Sequence, residues 1–370
     1  MVSIPNNVIQ QFAFQGPVID VHLCEIGHIN HTLVVKTGQE NGGTQRYILQ
    51  RINQQVFRQP AALMENIIRV TRFLRRKIAE EGGDPDRETL TLIPTQNGEL
   101  FFISPEGEYW RAYLFIEGAR AYQQVESIEH LYQAARAFGR FMRRLHDFPV
   151  QELHITIPDF HTTPKRFEAF VQSVEADAYN RAASVRDLIE FALAREDKTW
   201  RIVQALDAGE LPQRVTHNDT KFDNVLIDDR TGEGLCVLDL DTVMPGSALY
   251  DFGDFVRTGA NTGAEDDPDL DRVSFSLPYF RAIARGFLEE TQGMLTAKEL
   301  QWLPLGAWMI TFEQALRFLA DYLNGDVYYR IHRPNQNLDR AKTQFKLVSG
   351  MEAKEEEMAH IVAQYAALQG

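Results

Sequence analysis

Short runs of alternating hydrophobic and polar residues fill the first third of the chain. Residues 18–25 alternate apolar and polar positions, which is the pattern of a half-buried strand. Gly42 and Gly43 indicate a turn between two further strands. Residues 60–79 instead carry apolar side chains at helical spacing and begin with a proline, which suits a first helical turn. The predicted strands are residues 18–25, 32–36, 46–52, 90–94, 100–103 and 110–116.

The apolar spacing becomes mainly helical after residue 118. Residues 128–146 predict a strongly amphipathic helix. Two short strands around a turn at residues 231–234 are predicted within 225–241. The other predicted helices are residues 164–176, 185–194, 198–206, 278–290, 297–323 and 337–367. The pattern therefore predicts an α+β protein with two parts, a small β-rich N-lobe at residues 1–116 and a larger, mainly helical C-lobe at residues 117–370.

Composition and charge exclude some classes of partner. The chain has 370 residues, of which 44% are hydrophobic and 24% charged, with a formal net charge of -14 and a pI near 5.2. Binding to nucleic acid or to an anionic membrane needs a basic face, which this composition does not favour. The first residues have no basic segment followed by an apolar run, and no apolar run reaches the length of a membrane span. We therefore expect a cytoplasmic protein.

The most informative segment is residues 217–224, which read HNDTKFDN and are followed by VLDLD at 237–241. An Asp, an Asn shortly after it and an Asp behind an apolar run have the spacing of a kinase catalytic loop and its metal-binding Asp. Asp219 is the candidate base for the attacking hydroxyl. Asn224 and Asp239 are candidate Mg²⁺ ligands, because magnesium takes hard oxygen ligands and shares phosphate oxygens. Each residue alone is typical of a turn or strand end, so the prediction depends on the combination.

Two further carboxylates accompany this segment. If the strand continues past Asp239, Asp241 points to the same face and is either a second metal ligand or a substrate contact. We favour the substrate contact. Asp251 begins an apolar stretch and is expected to support the backbone of the catalytic loop, through His217, although a helix N-cap is the alternative.

The nucleotide is expected between the first two strands. Gly27, Asn30 and Thr32 lie in a segment that either folds over the ATP phosphates or forms an ordinary hairpin turn. No Walker A motif is present, which argues against a P-loop enzyme. The third strand should supply a cation for the phosphates, and the candidate is Arg51, with Gln50 as the alternative occupant of that position.

Three more residues complete the expected nucleotide site. Glu65, on the predicted helix after the third strand, is either a partner of that cation or an unpaired surface residue. Phe115 and Glu117 end the last apolar strand before Gly118, where the two predicted parts of the chain meet. A strand in that place offers backbone groups to adenine, or is simply a core strand.

These motifs resemble those of the aminoglycoside phosphotransferase/choline kinase superfamily. The resemblance rests on Asp219, Asn224, Asp239, Asp251 and the His217 that precedes the base. The N-acetylhexosamine 1-kinase group is the most similar. The superfamily often has Gly after the His, and this chain has Asn218 there, which suits that group. The segments that carry this closer resemblance are VTHNDTK at 215–221, DLDTVMPG at 239–246, YDFGD at 250–254, NGDVY at 324–328 and NLDR at 337–340.

The resemblance implies a bilobal protein-kinase-like fold and a reaction. The implied reaction is ATP- and Mg²⁺-dependent phosphorylation of the anomeric hydroxyl of GlcNAc or GalNAc, with Asp219 taking the C1 hydroxyl proton. It also implies that Asp241, Arg317 and Tyr328 line the sugar pocket. The expected partners are ATP and a small-molecule sugar, without nucleic acid or membrane, and the expected state is a monomer or weak dimer.

The sequence leaves three other functions open. A kinase of an aminoglycoside, choline or methylthioribose would need carboxylates for a cationic substrate, and the acidic run at 265–271 would supply them. The irregular position of Arg51 and Gln50 would fit a nucleotide-binding pseudokinase. A metal-dependent hydrolase would use the same aspartates, although the His-rich spacing of metal ligands is missing.

Overall fold

The N-terminal part of the chain is built around a five-stranded antiparallel sheet. The structure is a computed structural model, and it describes residues 6–24, 29–40 and 42–367. The strands lie in the order β1-β2-β3-β5-β4. They are β1 (Val18–Leu23), β2 (His31–Gly38), β3 (Thr44–Arg51), β4 (Phe102–Ile103) and β5 (Tyr109–Leu114), and the helices of this part are α1 (Asn6–Ile9), α2 (Pro60–Glu80) and α3 (Pro85–Glu88).

The register of the strands gives the sheet two different faces. Leu49 of β3 belongs to a small apolar cluster with Phe12, which covers one face. On the other face, Gln50 is the register partner of both Thr32 in β2 and Arg111 in β5. The polar residues of this second face are therefore aligned across three strands.

The remainder of the chain is mainly helical and contains the larger apolar core. Two small sheets interrupt it, one pairing β7 with β10 and one in the order β6-β8-β9. The strands are β6 (Ala119–Arg120), β7 (Arg214–Thr216), β8 (Val225–Asp228), β9 (Gly234–Val237) and β10 (Met244–Gly246). The helices are α4 (Ile128–Arg144), α5 (Thr163–Ala176), α6 (Arg186–Leu193), α7 (Glu196–Thr199), α8 (Arg201–Asp207), α9 (Ala248–Gly259), α10 (Leu277–Glu290), α11 (Ala297–Leu323), α12 (Gln336–Glu352) and α13 (Glu355–Ala367).

The predicted α+β class is confirmed, with an antiparallel sheet followed by a larger helical part. The predicted helix at 297–323 matches α11, and the one at 60–79 matches α2 to within a residue. Among the helices that the structure describes, none is long and apolar enough to cross a bilayer.

Several predicted elements differ from the structure, three of them as follows. Residues 90–94 make only one isolated bridge, from Leu92 to Tyr113, and Pro94 at their end has no N–H to extend a ladder. The predicted helix at 337–367 is two helices, because α12 ends at Glu352 and α13 begins at Glu355. The strand predicted to reach residue 241 ends at Val237, so Asp239 and Asp241 do not share a strand face.

Helices α9 and α11 cross at very close range. A Cβ on Gly253 of α9 would lie 2.4 Å from the carbonyl oxygen of Gly306, and one on Gly306 would lie 2.5 Å from the carbonyl oxygen of Leu249. Only glycine allows backbones to approach so closely. This crossing fixes the position of α9, whose first turn carries Asp251.

We predict that Gly253→Ala lowers the free energy of unfolding by about 1–3 kcal/mol, the usual cost of overpacking a core. Denaturant titration of the two proteins measures the difference. Gly259→Ala is the matched control in the same helix, because its nearest neighbours are side-chain ends of Ile283 and Leu131 at 3.0 Å, which can move. Equal stability of the two variants would contradict the prediction.

Candidate active site

Asp251 lies directly beneath the loop that joins β7 to β8. Its Oδ2 accepts from the backbone N–H of His217 and its Oδ1 from that of Asn218, both at 2.8 Å. Its carbonyl oxygen accepts from Oγ1 of Thr220 at 2.6 Å. The helix N-cap is Ser247, so Asp251 is not the cap. Burial raises the pKa of Asp251 to about 6, although the two backbone N–H groups favour the charged form.

His217 connects this loop to the end of β9. Its Nε2 lies 2.7 Å from the carbonyl oxygen of Leu238, and its Nδ1 accepts from the backbone N–H of Asp219 at 3.2 Å. The tautomer with the proton on Nε2 satisfies both contacts. The ring lies edge-on to Phe138 and Phe141, with centroids 5.7 and 6.0 Å away. The imidazole therefore holds Asp219 and Leu238 at a fixed separation.

Asn218 has a left-handed backbone conformation, with φ of 65°. Asparagine and glycine adopt this conformation most readily, which explains why Asn fits at this position. The Asn218 side chain accepts from Oγ1 of Thr216 at 3.0 Å and donates to the carbonyl oxygen of Thr242 at 2.9 Å. It thereby joins the loop to the turn that follows Asp239.

Asp219, Lys221 and Asn224 lie together in this loop. Nζ of Lys221 is 3.3 Å from Oδ2 of Asp219. Nδ2 of Asn224 donates to the Asp219 carbonyl oxygen at 2.8 Å and lies 3.3 Å from its Oδ2. Burial acts to raise the pKa of Asp219, but the charge of Lys221 outweighs it, and the pKa lies below its ordinary value. The carboxylate is therefore ionised and able to accept a proton.

Asp239 follows β9 and, like Asn218, has a left-handed backbone, with φ of 54°. Within the described part of the chain, its carboxylate accepts no hydrogen bond, and neither does the amide oxygen of Asn224. Burial, with the charges of Asp241 and Asp219, raises the pKa of Asp239 to about 6. Two oxygen ligands without protein partners fit Mg²⁺, which completes its shell with phosphates and water. The described residues contain no group of three His, Cys, Asp or Glu that could hold a metal. The candidate site offers only one carboxylate and one amide oxygen.

Two of the residues expected to bind the nucleotide, Asn30 and Thr32, form hydrogen bonds with other polar side chains. Gly27 is outside the described residues. Nδ2 of Asn30 donates to Oδ2 of Asp241 at 2.6 Å, and Oγ1 of Thr32 accepts from Nε2 of Gln50 at 3.1 Å. Asp241, expected at the sugar, thus has one oxygen bonded to Asn30, and its other oxygen accepts from Nη1 of Arg111.

Arg51 and Glu65 have partners other than each other. Nη1 of Arg51 lies 2.6 Å from Oε1 of Glu108, on the opposite face of β3 from Gln50. Oε2 of Glu65 lies 2.6 Å from Nε2 of His154. Glu65 is therefore neither paired with Arg51 nor unpaired, which are the two alternatives that the sequence leaves open.

Phe115 and Glu117 lie at the junction between the sheet and the helical part. The guanidinium of Arg46 stacks 3.8 Å above the Phe115 ring, and its Nε donates to Oε1 of Glu117 at 2.8 Å. The carbonyl oxygen of Glu117 accepts from Nη2 of Arg87 at 3.0 Å. Arg46 therefore braces both predicted residues.

Arg317 and Tyr328 lie close together on the helical side. The Arg317 guanidinium lies 5.9 and 5.6 Å from the ring centroids of Tyr328 and Tyr329. Its Nη1 donates to Oε1 of Gln314 at 3.0 Å, and Gln314 donates to the Tyr329 hydroxyl at the same distance. Tyr328 is 69% exposed, so its ring is open to a ligand.

A buried pair links this cluster to the catalytic loop. Glu313, one helical turn before Arg317 in α11, lies 2.9 Å from Nδ1 of His161. Nε2 of His161 lies 3.2 Å from the carbonyl oxygen of Asn218. A series of contacts therefore runs from the helix that carries Arg317 to the loop that carries Asp219.

Sequence reasoning missed Lys221, Arg111 and His161. Lys221 has a signal, since it lies two residues after the candidate base. Arg111 also has one, since a charged residue stands alone in the apolar strand WRAYL. His161 lies in a polar segment with no pattern that would identify it.

Comparisons with known proteins identify the family and the fold of this chain. A model of the phosphotransferase enzyme family (APH) matches residues 20–284, well over half of the chain. The aminoglycoside phosphotransferase from Alicyclobacillus acidocaldarius subsp. acidocaldarius DSM 446 superposes with a TM-score of 0.63 at 14% identity, over 98% of this chain and 97% of that one. The microcompartment-associated aminopropanol kinase gives 0.59 at 14% identity, over 97% and 99%.

An amicoumacin kinase in complex with AMP-PNP, Ca²⁺ and Ami superposes with a TM-score of 0.57 at 12% identity, over 94% of this chain and 92% of that one. At these identities the superpositions show a shared kinase-like fold, as the catalytic-loop motif predicted. With the family model covering most of its length, the chain belongs to the phosphotransferase enzyme family.

Proposed function

We propose that this small-molecule kinase phosphorylates the anomeric hydroxyl of N-acetylhexosamines, using Mg²⁺ and ATP. One observation carries the proposal. Arg317, Tyr328 and Tyr329 form a polar and aromatic cluster that is connected to the loop of Asp219 through Glu313 and His161. A guanidinium with aromatic rings suits a neutral sugar, whose hydroxyls need hydrogen bonds and whose apolar face packs on a ring.

The proposed mechanism assigns one task to each loop residue. Asp219 accepts the proton of the attacking hydroxyl, and the ionised state favoured by Lys221 suits that role. Asn224 and Asp239 would hold Mg²⁺, which supplies charge stabilisation at the phosphates. The complexes of related folds with AMP-PNP and Ca²⁺, and with ADP and spectinomycin, support the proposed use of a nucleotide.

The acidic run at residues 265–271 makes contacts within the protein, which favours a neutral acceptor over a cationic one. Oε1 of Glu265 accepts from Nη1 of Arg257 at 2.7 Å, and Oδ2 of Asp266 accepts from Gln336 at 2.7 Å. Asp269 accepts from the backbone N–H of Asp271 at 3.1 Å. The acidic run that a cationic substrate would need is therefore largely used within the protein. A pseudokinase is also disfavoured, because a protein that only binds nucleotide has no use for the candidate base.

A substrate panel tests the proposed function directly. Incubation with ATP, Mg²⁺ and either GlcNAc or GalNAc should give a sugar 1-phosphate, identified by phosphorus coupling at the anomeric position in NMR spectra. Kanamycin, choline and methylthioribose serve as the alternative acceptors. Turnover of any of these, without turnover of N-acetylhexosamines, would replace the proposed substrate class.

We predict that Asp219→Asn lowers kcat by about 100-fold or more, the scale of losing a general base, while nucleotide affinity stays near the wild-type value. Steady-state kinetics and calorimetric titration measure the two quantities. Asp229→Asn is the matched control, because Asp229 pairs with Arg120 at the surface. Near-normal turnover of Asp219→Asn would remove Asp219 from the mechanism.

We predict that Asp239→Ala abolishes the Mg²⁺-dependent part of nucleotide binding, because it removes the candidate ligand that has no protein partner. Calorimetric titration with ADP in Mg²⁺ and in EDTA separates that part from the rest. An unchanged Kd in Mg²⁺ would contradict the metal assignment.

A further inference from the structure

A buried arginine connects the N-terminal sheet to the segment that carries Asp239. Arg111 is 1% exposed and donates from Nη1 to Oδ1 of Asp241. Its Nε and Nη2 donate to Oε1 of Gln50 at 3.0 and 2.9 Å. Gln50 in turn donates to Oγ1 of Thr32. One guanidinium therefore joins strands β2, β3 and β5 to a carboxylate that lies outside the sheet.

The second oxygen of Asp241 is held from the same side. It accepts from Nδ2 of Asn30 at 2.6 Å, and Oδ1 of Asn30 accepts from the backbone N–H of Asn53 at 3.0 Å. Asn30 directly precedes β2, where the nucleotide phosphates are expected. Both oxygens of Asp241 are thus bonded to residues of the N-terminal part, although Asp241 itself follows β9.

Stability does not explain this ion pair well. Both side chains are almost fully buried, and removing water from each charge costs several kcal/mol. Apolar side chains of similar volume are often as stabilising as a buried pair. The pair is better explained by the geometry that it holds in place.

The residue whose geometry depends on the pair is Asp239. Its left-handed backbone leads into the 3-10 turn Leu240–Thr242, which contains Asp241. On the other side of Asp239, the N–H of Leu238 donates to the carbonyl oxygen of Asn224 at 2.8 Å. Leu238 and Asp241 therefore fix the two ends of the short segment that carries Asp239.

The geometry assigns Arg111 as a positioning residue for the metal–nucleotide site. Arg111 holds Asp241, and Asp241 holds the turn, so the carboxylate of Asp239 keeps the orientation that a metal ion would need. Arg111 contacts neither metal nor substrate and acts through Asp241. The assignment rests on the proposed function, because it requires a metal–nucleotide complex at Asp239.

The test measures binding of AMP-PNP by calorimetry, in Mg²⁺ and in EDTA, and needs no acceptor. Arg111→Met alone leaves the Asp241 charge buried without its partner. The main variant is therefore Arg111→Met combined with Asp241→Asn, which removes both charges and keeps an acceptor for Asn30. We expect a melting temperature close to wild type and a Kd in Mg²⁺ that is raised by about 10- to 100-fold, as when a partner that orients a metal ligand is lost. The Kd in EDTA should stay the same.

Arg75→Met is the matched control, because Arg75 pairs with Asp86 within the N-terminal part, 2.9 Å away. It should leave both Kd values unchanged. A double variant with wild-type affinity in Mg²⁺ would overturn the assignment. Equal losses in Mg²⁺ and EDTA would also overturn it, since they indicate a general role in the nucleotide site.

Two further outcomes distinguish this assignment from a substrate role of Asp241 and from a failure of the proposed function. A raised KM for the acceptor with unchanged AMP-PNP binding in Asp241→Asn would return Asp241 to the sugar and overturn the role of Arg111. Wild-type protein that binds no Mg²⁺·AMP-PNP would overturn the proposed function itself, and the assignment with it.

Discussion

One buried carboxylate holds the conformation of the candidate catalytic loop. Asp251 accepts from two consecutive backbone N–H groups, those of His217 and Asn218, which directly precede the candidate base. A loop of polar residues has many conformations of similar energy, and two charge-assisted hydrogen bonds to its backbone select one. Asp251 can do this only because α9 lies where it does, and the close crossing of Gly253 and Gly306 fixes that position.

The same helix pair supports the acceptor side of the site. Helix α11 packs against α9 and carries Glu313 and Arg317 one turn apart. Through Glu313 and His161 it also contacts the carbonyl oxygen of Asn218. The candidate base and the candidate sugar residues are therefore held by one rigid support, which limits errors in their relative position. A loop alone could not fix the position of the candidate base relative to the candidate sugar residues.

Local patterns in the sequence predicted the loop and the helices around it, but not the contacts between distant residues. The spacing of Asp219, Asn224 and Asp239 encodes a short segment, and the helices around it have clear periodicity. The choice between Arg51 and Gln50 depended on which face of β3 points inward, and a shift of one residue reverses the faces. The contact of Arg111 with Asp241 joins residues 130 positions apart, and no local pattern encodes such a contact. The left-handed backbone of Asp239 also depends on distant contacts, through Leu238 and Asp241.

The proposed metal position agrees with how charges are paired around the loop. The negative charges of Asp219 and Asp241 both act on the carboxylate of Asp239. Lys221 lies 3.3 Å from Asp219, and Arg111 bonds to Asp241, so each of these charges has a protein cation. In the part of the chain that the structure describes, Asp239 has no such partner, and its pKa is raised to about 6. A divalent cation would favour the charged form and lower that pKa. Since two of the three charges are already balanced, we infer that a cation that arrives with the nucleotide binds at the third.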